Sequence, residues 1–126
     1  MVFIDGVNEL GAMRSVSLPR FHGRHLRTGR HSEPGRVYLV TAVTVRRMPV
    51  FDNLAHGRAV VAALRGIDAD GMAQTLAYVV MPDHLHWLFA LGDGVTLGRV
   101  VGLAKGRSAR SVNRLRRARD EPAITP

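Results

Sequence analysis

The sequence predicts an α+β domain in which helices pack on an antiparallel sheet, and three observations lead to that class. The runs 37–45 (VYLVTAVTV) and 74–81 (QTLAYVVM) are rich in β-branched and aromatic residues, as strands are. Pro82 and Asp83 then suit the central positions of a tight turn, and the alternating run 84–91 (HLHWLFAL) follows directly, so the last two runs form a hairpin. Segments with helical spacing, 54–65 and 96–115, interleave with these strands. A tight hairpin joins only antiparallel neighbours, which excludes a wholly parallel sheet.

The elements follow in order. Residues 1–35 read as a basic, poorly ordered arm. After the first dozen residues it becomes SLPRFHGRHLRTGRHSEPGR, with Arg20, Arg24, Arg27 and Arg30 among three histidines and several Gly and Pro. Such a run buries no core but can lie along a phosphate backbone. Met13 offers an alternative start, with residues 1–12 an over-extended reading frame. Residues 36–117 form the domain proper. Its first strand is apolar on both alternating faces, which predicts a buried central strand. Pro49 ends it. Asp52 or Asn53 caps a helix over 54–65, with Leu54, Val60, Val61 and Leu64 as its apolar stripe and Gly66 as its stop. The acidic turn IDADG leads to the hairpin, a Gly92–Gly94 loop follows, and Thr96 caps a long helix to about Leu115. Residues 118–126 are a tail without periodicity. There are no internal repeats.

Length and composition narrow the classes. A chain of 126 residues builds one core and not two. No apolar run approaches the roughly 18 residues that span a bilayer. The first 11 residues carry Asp5 and Glu9 without a basic start, unlike a secretory signal, so a cytoplasmic location is expected. Cysteine is absent, which excludes disulfides, zinc ribbons and cysteine nucleophiles and leaves His, Asp, Glu or Gln to hold any metal. The net charge is +8, and 17 of the 18 basic residues are Arg, with Lys105 the one Lys. The planar guanidinium binds phosphate through two hydrogen bonds, so a nucleic-acid partner is expected; an arginine-favouring genome composition is the plainer explanation.

The stretch MPDHLHWLF, residues 81–89, holds the candidate site. Alternate side chains of a strand share a face, so His84 and His86 point one way while Leu85, Trp87, Phe89 and Leu91 point into the core. Their Cα atoms lie about 6.5 to 7 Å apart, a spacing from which two imidazoles reach one ion. A rigid strand with an apolar underside suits a precise site. Taken alone the pattern is weak, because His-x-His on a strand is more often cross-strand packing or plain surface, and a complete site needs a third ligand.

Three segments carry a resemblance: YLVTAVTVRRMPVF at 38–51, AYVVMPDHLHWLFAL at 77–91 and LGRVVGLAKGRSARSVNRL at 97–115. In this order and spacing they resemble the REP-associated tyrosine transposases, bacterial relatives of small insertion-sequence transposases in the HUH superfamily, named for His-hydrophobic-His. The similarity runs from about Ser17 to Leu115. It implies a ferredoxin-like HUH domain in which His84 and His86 hold a divalent metal, Mg²⁺ or Mn²⁺. It also implies that a tyrosine hydroxyl attacks single-stranded or hairpin DNA, giving a 5′-phosphotyrosine and a free 3′-OH, with no nucleotide cofactor. In that family the nucleophile and the third metal ligand sit on a further helix, C-terminal to the basic one. Tyr38 and Tyr78, the two tyrosines present, fall inside expected strands and match neither position. The expectation is a C-terminally truncated or frameshifted member, with no catalytic nucleophile in this chain and therefore defective in nicking.

On the long helix, at about 100° per residue, Arg99, Arg107, Arg110, Arg114 and Arg117 fall within an arc of roughly 80°, opposite Leu97, Val100, Val101, Ala104, Val112 and Leu115. A charged stripe is usually just a solvated face, but five arginines without an interposed acid point to phosphate contact. Arg99, Lys105, Arg107, Arg110, Arg114 and Arg117, with Arg24, Arg27 and Arg30 of the arm, are the expected DNA-binding residues. Gly98, Gly102 and Gly106 form a third stripe, which close approach of DNA or a strand would explain, as would simple tolerance. His22, His25, His31 and His56 read as surface residues, Asp83 as a turn residue, and Trp87 as core. Three functions follow: an HUH transposase, a domesticated protein that binds palindromic hairpins without cutting, and a His-x-His metallohydrolase, the last disfavoured because no acid stands where a general base is needed. The partner is DNA rather than a membrane, and monomer and homodimer both stay open.

Overall fold

The computed structural model describes the backbone of residues 3–9 and residues 34–125. Among these, the strands are β1 (Phe3–Glu9), β2 (Val37–Thr44), β3 (Ala73–Met81) and β4 (His84–Leu91). The helices are α1 (Leu54–Ala69), between β2 and β3, and α2 (Leu97–Arg117), after β4. The sheet order is β1-β2-β4-β3 and every neighbouring pair is antiparallel. The class is the α+β antiparallel architecture that the sequence predicts.

Alternation along β2 and β4 builds the core. Tyr38, Val40, Ala42 and Thr44 of β2 and Leu85, Trp87, Phe89 and Leu91 of β4 are buried on one face. Val60, Leu64 and Ile67 of α1 and Val100, Val101, Ala104 and Val112 of α2 join them in one cluster. Burying each of the Val, Leu, Ile and Phe side chains among them contributes roughly 1.5–3 kcal/mol. Because the packed helices take this one face, the other residues of β2, Val37, Leu39, Thr41 and Val43, are only half-buried. The strand is thus central by its pairing, but it is not buried on both faces as its composition suggested.

Five expectations change. Phe3–Glu9, placed by the sequence in the arm, is a strand that pairs with β2 from Phe3 opposite Thr44 to Glu9 opposite Tyr38. It takes up hydrogen-bonding groups that β2 would otherwise present as a bare edge. Residues 10–33, which hold Arg20, Arg24, Arg27, Arg30, His22, His25 and His31, lie outside the described residues. Helix α1 runs past Gly66 to Ala69 because Ile67, fully buried, gives its last turn a place in the core; the left-handed residue after its C-cap is Gly71, φ +73°. Its buried stripe is His56, Val60, Ala63, Leu64 and Ile67, while Leu54 is 67% exposed. His56 is therefore a core residue, and its Nδ1 bonds Val50 O at 2.8 Å. In the tail, Ile124 is buried and its backbone pairs twice with the Asn113 side chain, at 2.9 and 3.2 Å. A single apolar residue on a short extended segment carries no period, so only tertiary packing reveals it.

The capping signals read correctly. Asn53 accepts from Ala55 N–H at 2.9 Å, and Thr96 from Arg99 N–H at 3.2 Å. Between α1 and the hairpin runs a polar chain: Trp87 Nε1–H donates to Thr75 Oγ1 at 2.9 Å, and Thr75 donates its hydroxyl to Asp68 Oδ1 at 2.9 Å. The Thr75 amide also donates to the Asp68 carboxylate, at 3.1 and 3.2 Å. A bulge between Thr75 and Ala77 in β3 adjoins these contacts. Replacing Thr75→Val strands the buried indole N–H, a change expected to cost about 1–3 kcal/mol. Thermal denaturation should then show a Tm lowered by roughly 5–15 °C.

Candidate functional site on the open sheet face

The hairpin sets the site. His84 opens β4 directly after the Pro82–Asp83 turn, and His86 follows two residues on, both on the sheet face opposite the helices. Their ring centroids are 4.9 Å apart and the rings meet edge to face at 79°. Each ring is held through Nδ1. His84 Nδ1 is 2.7 Å from Asp83 Oδ1, and His86 Nδ1 is 2.9 Å from the hydroxyl of Thr41, its register partner on β2. With Nδ1 as the protonated nitrogen, both rings donate to these oxygens and turn an Nε2 lone pair outward.

Asp83 is held in turn. Its carbonyl accepts from the Thr44 amide at 2.9 Å and from the Thr44 hydroxyl at 3.0 Å, tying the turn to the end of β2. Arg46 and Arg47 both adopt φ of 50°, a left-handed conformation uncommon outside glycine, where the chain leaves β2. Arg47 comes within 3.5 Å of Asp83 Oδ2. The hydrogen bond from His84 lowers the Asp83 carboxyl below its ordinary range, and Arg47 assists against the opposing effect of burial. Around the pair the sheet is apolar and open: Val79, opposite His86, is 52% exposed and Met81, opposite His84, 41%.

The other candidates fall elsewhere. Tyr38 pairs with Phe89 and Tyr78 with Trp87, so both tyrosines belong to the helix-covered face and not to the face of the histidines. Tyr38 is fully buried. Among the described residues no three of His, Cys, Asp or Glu converge as a metal site. The arginines of α2 lie on the helical layer, across the sheet from the histidines. Arg99, Arg110, Arg114 and Arg117 are exposed, and Lys105 and Arg107 half-buried. Arg107 pairs with Asp70 at 2.9 Å, so an acid distant in sequence does interrupt the stripe. Leu115, expected on the buried side, is half-buried at a groove between the helices. Among the described residues no strand approaches Gly98 or Gly102, and a Cβ there would meet nothing within 4 Å. The roles of Asp83 and Thr41 were missed by the sequence; the hairpin register and the face shared by Thr41 and His86 were the available signals.

A family model for IS200-like transposases matches residues 36–122, more than two thirds of the chain. The chain belongs to the IS200-like transposases. The matched span of the transposase holds His84 and His86, the oxygens of Thr41 and Asp83 that orient them, and every arginine of α2. It begins after β1. Transposition makes DNA its partner. No curated protein matches the chain. No helix among the described residues is long and apolar enough to cross a membrane.

A carboxyl with a lowered folded pKa stabilises the fold above its unfolded value, and that contribution is lost as pH falls through the folded one. Stability of the wild-type chain and of Asp83→Asn, followed by urea denaturation, should therefore differ at neutral pH. The two should converge in acid, below the depressed Asp83 value.

Proposed function

We propose that this transposase is of the single-tyrosine HUH type, allied to the REP-associated enzymes, and acts on single-stranded or hairpin DNA by metal-assisted transesterification. The observation that carries this reading is the histidine pair with both Nδ1 atoms engaged. Two rings whose Nε2 atoms converge on one ion at about 2.1 Å have centroids roughly 5 Å apart, and those of His84 and His86 are 4.9 Å apart. A carboxylate or hydroxyl on the far nitrogen is what orients a metal-bound histidine.

His84 and His86 would hold Mg²⁺ or Mn²⁺, Asp83 and Thr41 fixing their rings. A divalent ion supplies positive charge that polarises the scissile phosphate and stabilises charge developing on its oxygens. With two protein ligands, the remaining positions fall to water, to DNA or to a ligand from beyond the described residues. Among the described residues, exposed Val79 and Met81 beside the pair leave a strand of DNA an approach to it.

In this reading the 126-residue polypeptide does not nick on its own, because both tyrosines lie across the sheet from the histidines. That placement also favours a second reading, a non-catalytic binder of palindromic hairpin DNA. Purified chain incubated with a labelled hairpin oligonucleotide and Mn²⁺ should give no covalent adduct; an adduct abolished by replacing Tyr38 or Tyr78 would overturn the nucleophile assignment. Mn²⁺ binding, followed by electron paramagnetic resonance, should disappear in the His84→Ala/His86→Ala variant and weaken roughly 10- to 100-fold in Asp83→Asn. Hairpin binding should survive in both. Retention of Mn²⁺ binding without the histidines would remove the metal assignment.

A further inference from the structure

Between α1 and α2, on the side of the molecule away from the histidines, lies an open groove of about 860 Å³. Alanines 55, 59 and 62 line it, together with exposed Leu54. Arg58, Arg114 and Arg119 also line it, and all three are exposed. Among the described residues, ion pairs hold Arg47, Arg107 and Arg116 but none of these three. The amino end of α1, capped by Asn53, and the carboxyl end of α2 both border the groove, so their opposite dipoles offset and the arginines set its charge.

We infer that this groove is a second nucleic-acid site, which takes an unpaired stretch of DNA with its phosphates on the arginines and its sugars and bases on the alanine floor. The inference rests on the reading of the chain as a transposase that handles single strands. The apolar floor argues for an unpaired strand, since a duplex stacks its bases inside and turns only sugars, phosphates and base edges outward, which leaves no base face for the alanines. The composition fits as well. A cationic border beside an apolar floor is how single strands are held without sequence readout, the phosphates neutralised and the bases shielded from water. Arg58 and Arg119 lie outside the regular stripe of α2, so the groove is a product of two helices and the segment after them. Since the sheet separates it from His84 and His86, DNA held here is anchored away from the point of cutting.

The test is binding of a fluorescent single-stranded oligonucleotide across a series of salt concentrations. The variants are Arg58→Ala/Arg114→Ala/Arg119→Ala and, leaving the charge intact, Ala62→Leu. The triple variant should bind at least about tenfold more weakly, and its log–log salt slope should shrink by roughly 2, about 0.7 for each phosphate that is no longer neutralised. Ala62→Leu should weaken binding several-fold with the slope retained. Mn²⁺ binding at the histidine pair and the circular-dichroism spectrum should stay as in the wild type. If the wild type binds the oligonucleotide and the triple variant matches it in affinity and slope, the groove assignment fails while the transposase reading stands. An equal loss on duplex DNA, or displacement by polyglutamate as effective as by oligonucleotide, overturns the assignment to unpaired DNA. A wild-type chain that binds the hairpin but no single strand overturns the groove assignment alone, and one that binds neither overturns the underlying reading itself.

Discussion

The indole of Trp87 lies buried beneath the sheet, stacked on Phe89 with centroids 4.0 Å apart, and its N–H reaches the Asp68 carboxylate through the hydroxyl of Thr75. This chain of hydrogen bonds and packed rings locks together the last turn of α1, the edge strand β3 and the strand β4. It matters because β4 also carries the histidines. Two residues apart, they inherit their direction from the strand, and the strand is fixed by what its other face buries. A buried aromatic ring with its polar atom satisfied is both an apolar anchor and a directional one.

From this anchored strand the site is finished by neighbours on the same sheet. Thr41 stands opposite His86 through the β2–β4 register, and Asp83 meets His84 because the turn is tied to Thr44. The left-handed backbone at Arg46 and Arg47 closes the same corner and brings a guanidinium to the carboxylate. The helices supply the opposite surface, where arginines are spread over a groove rather than gathered at the histidines. The transposase thus has two candidate DNA-facing surfaces on two sides of one sheet.

Much of this was legible in the residues. The hairpin from 74 to 91 was readable because alternation and the Pro-Asp turn agree, and the start of α2 because Thr96 caps an amphipathic run. Local signals failed where the deciding partner is distant. Gly66 resembles a helix stop until Ile67 is seen to fill the core, and His56 resembles surface until Val50 O is found at its Nδ1. Ile124 belongs to no pattern at all, and Asn113 gives it its place. At the site the histidines were visible through their spacing. Their oxygen partners come from a strand over 40 residues earlier and from a turn residue with a sufficient reason of its own to be there, so neither stood out. The groove needs two helices and the segment after α2 before it exists.

The alternation of β4 keeps its two faces apart. Packing residues and chemical residues occupy alternate positions of the same eight-residue strand, so a substitution changes one set while leaving the other's surroundings largely intact. The histidines meet Asp83 and Thr41 while the packing residues meet the helices and Thr75, so the two sets couple chiefly through the backbone that they share. The surface around the histidines can therefore drift in sequence without eroding the core beneath it. Conversely, a member of this architecture can lose its chemistry and keep its fold, persisting as a stable scaffold on which a different task can be built.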